Sequence, residues 1–152
     1  MTKTITNSEK QTFALGKKLA GQLQGGEAIG LIGNLGAGKT ALIKGLASGL
    51  GILKTITSPT FVLMKIYKIN SKIKNQNAKL QCKIQNLVHV DAYRLKSGQD
   101  LIDIGLKDWL NRPNTITVVE WANQAKNILP KTAIIIKIKL GLKPNQRIFQ
   151  IN

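Results

Sequence analysis

Acidic residues are scarce in this chain. Seven Asp and Glu stand against 23 Lys and Arg in 152 residues, a formal net charge of +16. None of the seven falls within residues 28–90 or 121–152, so a carboxylate at the end of an apolar strand stands out. Such a balance fits a polyanionic partner, nucleic acid among them. It equally fits lysines scattered over a solvated surface, because Arg94, Arg112 and Arg147 are the only arginines while Lys, Ile and Asn abound. A single cysteine, Cys82, excludes an internal disulfide, and the lone His89 leaves no Cys/His zinc spacing. Aromatic residues make up 5% and form no aromatic–basic RNA-binding signature. No apolar run approaches the ~20 residues that span a bilayer, and residues 1–7 lack the apolar core of a signal peptide. These absences predict a cytoplasmic protein with no membrane partner. The length predicts one domain over residues 1–152, and 43% hydrophobic residues suffice for a sizeable core.

What is present centres on Gly33-Asn34-Leu35-Gly36-Ala37-Gly38-Lys39-Thr40. An apolar run, Ala28-Ile29-Gly30-Leu31-Ile32, precedes it, and a helical pattern from Ala41 to Ala47 follows. This is a GxxxxGK[ST] phosphate-binding loop in its strand–loop–helix setting. Gly33, Gly36 and Gly38 let the backbone curl so that successive N–H groups surround an anion, and the helix start adds partial positive charge. In this pattern Lys39, expected to be exposed toward phosphate, reaches the β- and γ-phosphates, and the Thr40 hydroxyl is placed for Mg²⁺.

Other segments group around that loop. Ser8-Glu9-Lys10-Gln11 reads as a capping box opening a helix that Gly25-Gly26 ends, with Phe13 on its apolar face or near a bound base. The P-loop helix is expected to reach about Leu50, stopped by Gly49 or Gly51. Thr57-Ser58-Pro59-Thr60-Phe61 is a hydroxyl-rich turn that could present Ser58 or Thr60 to a γ-phosphate. Residues 62–69 and 82–90 read as strands, with a basic, acid-free hairpin tip at 70–79 between them. Leu87-Val88-His89-Val90-Asp91 ends in a carboxylate, as a Walker B strand does. His89 on that strand reads as packed or hydrogen-bonded. Arg94 could reach phosphate or the surface. Residues 98–110 read as two short helices broken at Gly105. Thr115-Ile116-Thr117-Val118-Val119-Glu120 is a second buried strand ending in an acid, followed by Trp121. Two such strands in so acid-poor a chain suggest carboxylates converging on one metal–phosphate site. Residues 131–140 and 147–151 read as closing antiparallel strands. The predicted fold is α/β, a P-loop NTPase-like mixed sheet flanked by helices with antiparallel edge strands.

The combination GNLGAGKT at 33–40, TSPTF at 57–61, HVDAYRL at 89–95, DIGLKDWL at 103–110 and VVEWA at 118–122 resembles the bacterial TsaE family. These motifs keep their order over nearly the whole chain. The resemblance implies a Mg-dependent ATPase of the tRNA threonylcarbamoyladenosine pathway, with ATP and Mg²⁺ as cofactors. Residues 33–40 would bind nucleotide, with Lys39 also catalytic and Thr40 on the metal. Ser58, Pro59 and Thr60 would form a switch-like loop. Asp91 would be the Walker B acid, Glu120 the second metal-site acid, and Trp121 would lie beside the nucleotide. Metal binding and water activation stay undivided between Asp91 and Glu120. The implied partner is a two-subunit tRNA threonylcarbamoyltransferase, with tRNA met indirectly or weakly. The chain departs from the family pattern at Asn34, where Asp is common, at Ala41, where a second Thr is common, and at Ala122, where Pro is usual. Its 70–79 segment is also longer than the usual tip. None of these removes a predicted catalytic group. A GTPase is disfavoured, since no DxxG follows Asp91 and no NKxD appears. A small-molecule kinase shares the P-loop but usually brings an arginine-rich lid. A basic RNA-binding module with a structural nucleotide site is the other alternative.

Overall fold

A computed structural model describes residues 2–69, 83–95 and 98–152. The basic 70–79 segment and Cys82 lie outside the described residues. Seven strands form one mixed sheet there: β1 (Thr2–Thr6), β2 (Ala28–Ile32), β3 (Met64–Lys68), β4 (Asn86–Asp91), β5 (Thr115–Glu120), β6 (Ile134–Leu140) and β7 (Arg147–Ile151), in the order β1-β7-β6-β2-β5-β4-β3. The helices are α1 (Glu9–Ala20), α2 (Lys39–Gly49) and α3 (Gly98–Asp103), with 3₁₀ turns at Leu106–Asp108 and Ala122–Gln124.

β6, β2, β5 and β4 are mutually parallel, and β3, β7 and β1 add antiparallel pairs at the edges. β5 is buried along its whole length and β2 and β4 nearly so, which is why their sequences are near-continuous apolar runs. One sheet face carries Leu31, Leu87, Val118, Ile136 and Phe149 against Leu42, Ile43 and Leu46 of α2. The other carries Val88, Val90 and Val119 against Leu101, Leu106 and Ala125. On the first face α1 and α2 lie unusually close. A Cβ at Gly16 would stand 2.1 Å from the Leu42 carbonyl oxygen, and one at Gly45 2.0 Å from that of Phe13, so both positions require glycine.

Several boundaries differ from the sequence expectation. β1 was not foreseen, because Thr2-Lys3-Thr4-Ile5-Thr6 is short and largely polar; it forms only by pairing with β7, Thr4 opposite Phe149. α1 ends at Ala20, well before Gly25-Gly26, because the Gly21 N–H turns back to the Lys18 carbonyl. Gly25 and Gly26, at φ 103° and 94°, instead turn the chain into β2. The strand expected from Lys131 starts at Ile134, because Ala133 N–H closes a turn on the Pro130 carbonyl. β6 is antiparallel to β7, as expected, but parallel to β2. The capping box forms with a shift. Ser8 Oγ accepts from Gln11 N–H, while Gln11 Oε1 accepts from Asn7 N–H, one residue earlier than the motif specifies. The break at Gly105 is real, with φ 79°.

Candidate functional site

The parallel order β2-β5-β4 brings three strand ends to one edge of the sheet. Leu31 is paired with Glu120, and Glu120 with Asp91, so the loop after β2 and the two acids lie at the same level on adjacent strands. A cavity of about 520 Å³ opens there. Residues Leu35–Ala41 line one side, and Ser58, Thr60, Asp91, Glu120 and Trp121 another. This is the carboxyl-end crevice that open α/β sheets offer to ligands.

The loop is built as an anion cradle. Gly36 (φ 73°) and Gly38 (φ 102°) take left-handed conformations, and Gly38 caps α2 with no side-chain acceptor on the first N–H groups. Gly33 is needed for close approach, since a Cβ there would meet the Ile138 carbonyl oxygen at 2.7 Å. Lys39 differs from expectation: it is only 5% exposed. Its Nζ donates to the Gly33 and Asn34 carbonyls at 2.8 and 3.0 Å and lies 4.0 Å from the centre of a Trp121 ring. An ammonium has three donors, so two carbonyls leave capacity for a phosphate oxygen. Burial lowers the Lys39 pKa, against the opposing pull of Glu120 and Asp91. Thr40 is half-buried and lines the cavity.

The 57–61 turn is tied to the end of β4. Ser58 Oγ and Thr60 Oγ1 each donate to Asp91 Oδ2 at 2.7 Å, and Asp91 Oδ1 accepts from Tyr93 N–H at 2.9 Å. Burial would raise the Asp91 pKa, but the bonds from Thr60, Ser58 and Tyr93 outweigh it and bring it below the usual carboxylate value. Pro59 is buried, while Phe61 is 83% exposed and Val62 is also exposed. Glu120 Oε1 meets His89 Nε2 at 2.8 Å in a buried contact. Trp121 takes a left-handed backbone (φ 58°), unusual for an aromatic residue, and its ring packs 4.9 Å from that of Tyr93. Residues 33–40, Thr60, Asp91, Glu120 and Trp121 are thus brought together.

Neither Arg94, considered for phosphate, nor Phe13, considered for the base, lines the cavity. Arg94 packs over the Phe61 ring at 4.6 Å, and the Phe13 backbone lies against Gly45 while Thr12 reaches the cavity. Sequence reasoning missed Thr12, Asn145 and Arg147 as lining residues. They reach the site only because α1 and the start of β7 fold over the loop. The scarcity of arginine was the one available signal for Arg147.

The chain's similarities agree with this geometry. The family model "Threonylcarbamoyl adenosine biosynthesis protein TsaE" matches residues 6–148. The chain belongs to the TsaE family. A relative from Treponema pallidum, named tRNA threonylcarbamoyladenosine biosynthesis protein TsaE, is 33% identical over 95% of this chain and 96% of its own length. A TsaE relative of the same name from Streptomyces coelicolor is 36% identical over 82% of this chain and 76% of its own. Among solved structures, Bacillus subtilis YdiB superposes with a TM-score of 0.74 at 29% identity, covering 99% of this chain and 83% of that one. YdiB therefore shares the mixed-sheet fold described above. No helix among the described residues is long and apolar enough to cross a membrane.

Proposed function

We propose that the protein is a Mg-dependent ATPase that supports a two-subunit tRNA threonylcarbamoyltransferase in the modification of tRNA. The observation that carries the reading is the pairing of Asp91 with Glu120 at adjacent strand ends, in one cavity with Lys39 and Thr40. Family membership supplies the pathway, through relatives named for tRNA threonylcarbamoyladenosine biosynthesis.

The residues suit a nucleotide–Mg²⁺ ligand. Among the described residues no cluster of three or more His, Cys, Asp or Glu could cage a metal by itself. That donor set fits Mg²⁺, which is typically held by one or two carboxylates together with substrate phosphates. Thr40, Asp91 and Glu120 would hold it, and when bound it would offset charge on the phosphates. The glycine turns and the α2 start would bind the phosphates through backbone N–H groups. Lys39 would place its ammonium on the transferred phosphoryl, where partial burial strengthens the interaction. Trp121 and Tyr93 would cover one wall and restrict water.

The 57–61 loop gives the nucleotide a route to a partner. Ser58 and Thr60 spend their hydroxyl bonds on Asp91, beside the cavity, while the adjacent Phe61 and Val62 face solvent. Turning the hydroxyls toward a γ-phosphate would move these apolar side chains, a local order change of the kind that switches use. Exposed Leu35 on the P-loop and Tyr93 extend the same apolar rim.

The test is ADP formation by the purified protein, alone and with the two transferase subunits, with and without Mg²⁺ and with candidate small-molecule acceptors. The reading expects Mg-dependent hydrolysis with water alone, increased in the assembled complex. ADP release that requires a small-molecule acceptor would instead make the protein a kinase. No ADP release in any mixture, with tRNA binding that persists at high salt, would make it a basic module with a structural nucleotide site.

A further inference from the structure

His89 is the only histidine in the chain, and it is fully buried. On β4 it lies two residues before Asp91, so both side chains leave the same face of the sheet. Its Cα partner on β5 is Val118, which sets Glu120 diagonally across from it, within reach of an imidazole. Nε2 meets Glu120 Oε1 at 2.8 Å. Nδ1 is buried with no hydrogen-bond partner among the described residues.

An orphaned ring nitrogen in a sheet core is unfavourable, and an aliphatic side chain would fill the position without one. Packing therefore does not account for a histidine here; the bond to Glu120 does. An ionised carboxylate only accepts, so Nε2 carries the hydrogen. The bond to Glu120 needs only that hydrogen on Nε2.

The two site acids are held differently. Asp91 has both oxygens occupied, Oδ2 by Ser58 and Thr60 and Oδ1 by Tyr93 N–H. Glu120 has a longer, freer side chain. Its Oε1 is taken by His89, and no described residue hydrogen-bonds its Oε2, while the residue lines the cavity. We propose that His89 is a positioning residue for Glu120, its Nε2–H fixing Oε1 so that Oε2 stays presented to the nucleotide cavity. The kinetic consequence rests on the ATPase reading above; the anchoring bond does not.

The full-length, nucleotide-free protein labelled with ¹⁵N tests the bond directly, because one histidine gives one imidazole pattern in a long-range ¹⁵N–¹H spectrum. The expected result is a single Nε2–H tautomer whose Nε2 signal shifts in Glu120→Gln. A Nδ1–H tautomer, the averaged pattern of a free imidazole, or no response to Glu120→Gln would overturn the proposal.

Kinetics then separate positioning from packing. His89→Leu keeps bulk and removes the donor, whereas His89→Gln retains an N–H near the same reach. His89→Leu should lower kcat by roughly 10- to 100-fold, the usual scale for losing an orienting partner, with ATP affinity within about two-fold of wild type. His89→Gln should recover most of that loss. Wild-type kcat in His89→Leu, or equal impairment of the two folded variants, would overturn the proposal. Should a variant fail to fold, the wild-type spectrum and its response to Glu120→Gln decide alone. If the wild type hydrolyses no ATP with its partner subunits, the ATPase reading fails while the spectrum still decides the His89–Glu120 bond.

Discussion

On β2, β5 and β4 each strand ends at the same edge of the sheet beside the cavity: the glycine-rich loop after Ile32, Glu120, and Asp91. On the other side, β6, β7 and β1 pair antiparallel, and their exposed positions carry Lys137, Lys139 and Lys3 with no carboxylate on the strands. The parallel wedge is covered on both faces, so its strands are nearly continuously buried and mostly apolar. The antiparallel side has partly exposed strands and alternates. It contributes anchorage, with Phe149 fully buried against the α1–α2 face, and it lends the cavity only Asn145 and Arg147 near the start of β7. Parallel pairing thus gathers the cavity-lining strand ends at one edge, while antiparallel pairing closes the sheet and supports the wedge.

Lys39→Ala should show the largest separation between the two sides. Loss of its ammonium should reduce hydrolysis by roughly 10³-fold, on the scale of losing a principal transition-state contact. The folded structure should survive, as judged by circular dichroism and thermal melting, because the aliphatic stem packs at a cavity wall. Near wild-type turnover in the folded variant would remove Lys39 from the chemistry.

Phe149→Ala reverses the pattern. It should cost about 3–5 kcal/mol of stability, the usual range for a large aromatic deleted from a core. The rate per folded molecule should stay within about two-fold. A selective loss of kcat at full folding would mean that the antiparallel side takes part in the reaction.

The wedge was legible in the sequence because each part has a local signature. The glycine spacing before Lys39, and acids ending apolar strands in an acid-poor chain, can be read without knowing the fold. The joining of Ser58 and Thr60 to Asp91 could be anticipated only as a hydroxyl-rich turn of unknown position, since 31 residues or more separate the partners. The His89–Glu120 bond was less visible still. His89 reads as a packed strand residue, and its partner follows only from the β4–β5 register. Lys39 was expected to be exposed, but it is held by the Gly33 and Asn34 carbonyls and lies beside Trp121, whose left-handed turn no propensity predicts for tryptophan. β1 has a weak pattern because an edge strand derives its stability from its neighbour, not from its own apolar content.

Thr60→Ala sharpens the comparison within the wedge. It removes one of the two hydroxyl bonds on Asp91 Oδ2. ATP binding should be little changed, whereas the ATP-dependent gain in affinity for the transferase subunits should fall by about ten-fold, the equivalent of ~1.4 kcal/mol for a charged hydrogen bond. Titrations with ATP, ADP and no nucleotide measure it. If wild-type association ignores nucleotide, the switch role of residues 57–61 is wrong.

The smallest effect is expected on the antiparallel side. Lys137→Gln with Lys139→Gln should leave hydrolysis within two-fold. The weak tRNA binding expected of so basic a protein should decline with these substitutions and fall steeply with added salt, as counterion release requires. Tight tRNA binding at high salt without the partner subunits would move function to this side of the sheet.

The decisive measurement is a double-mutant cycle on hydrolysis with Asp91→Asn and Glu120→Gln, each of which keeps size and removes charge. If the two carboxylates serve one Mg²⁺–nucleotide site, each substitution should lower the rate by about 10²-fold or more. The double variant should then lose far less than the product of the two, as residues acting as a unit do. Fully multiplicative losses, or a near wild-type rate in either single variant, would contradict a shared site at the ends of β4 and β5.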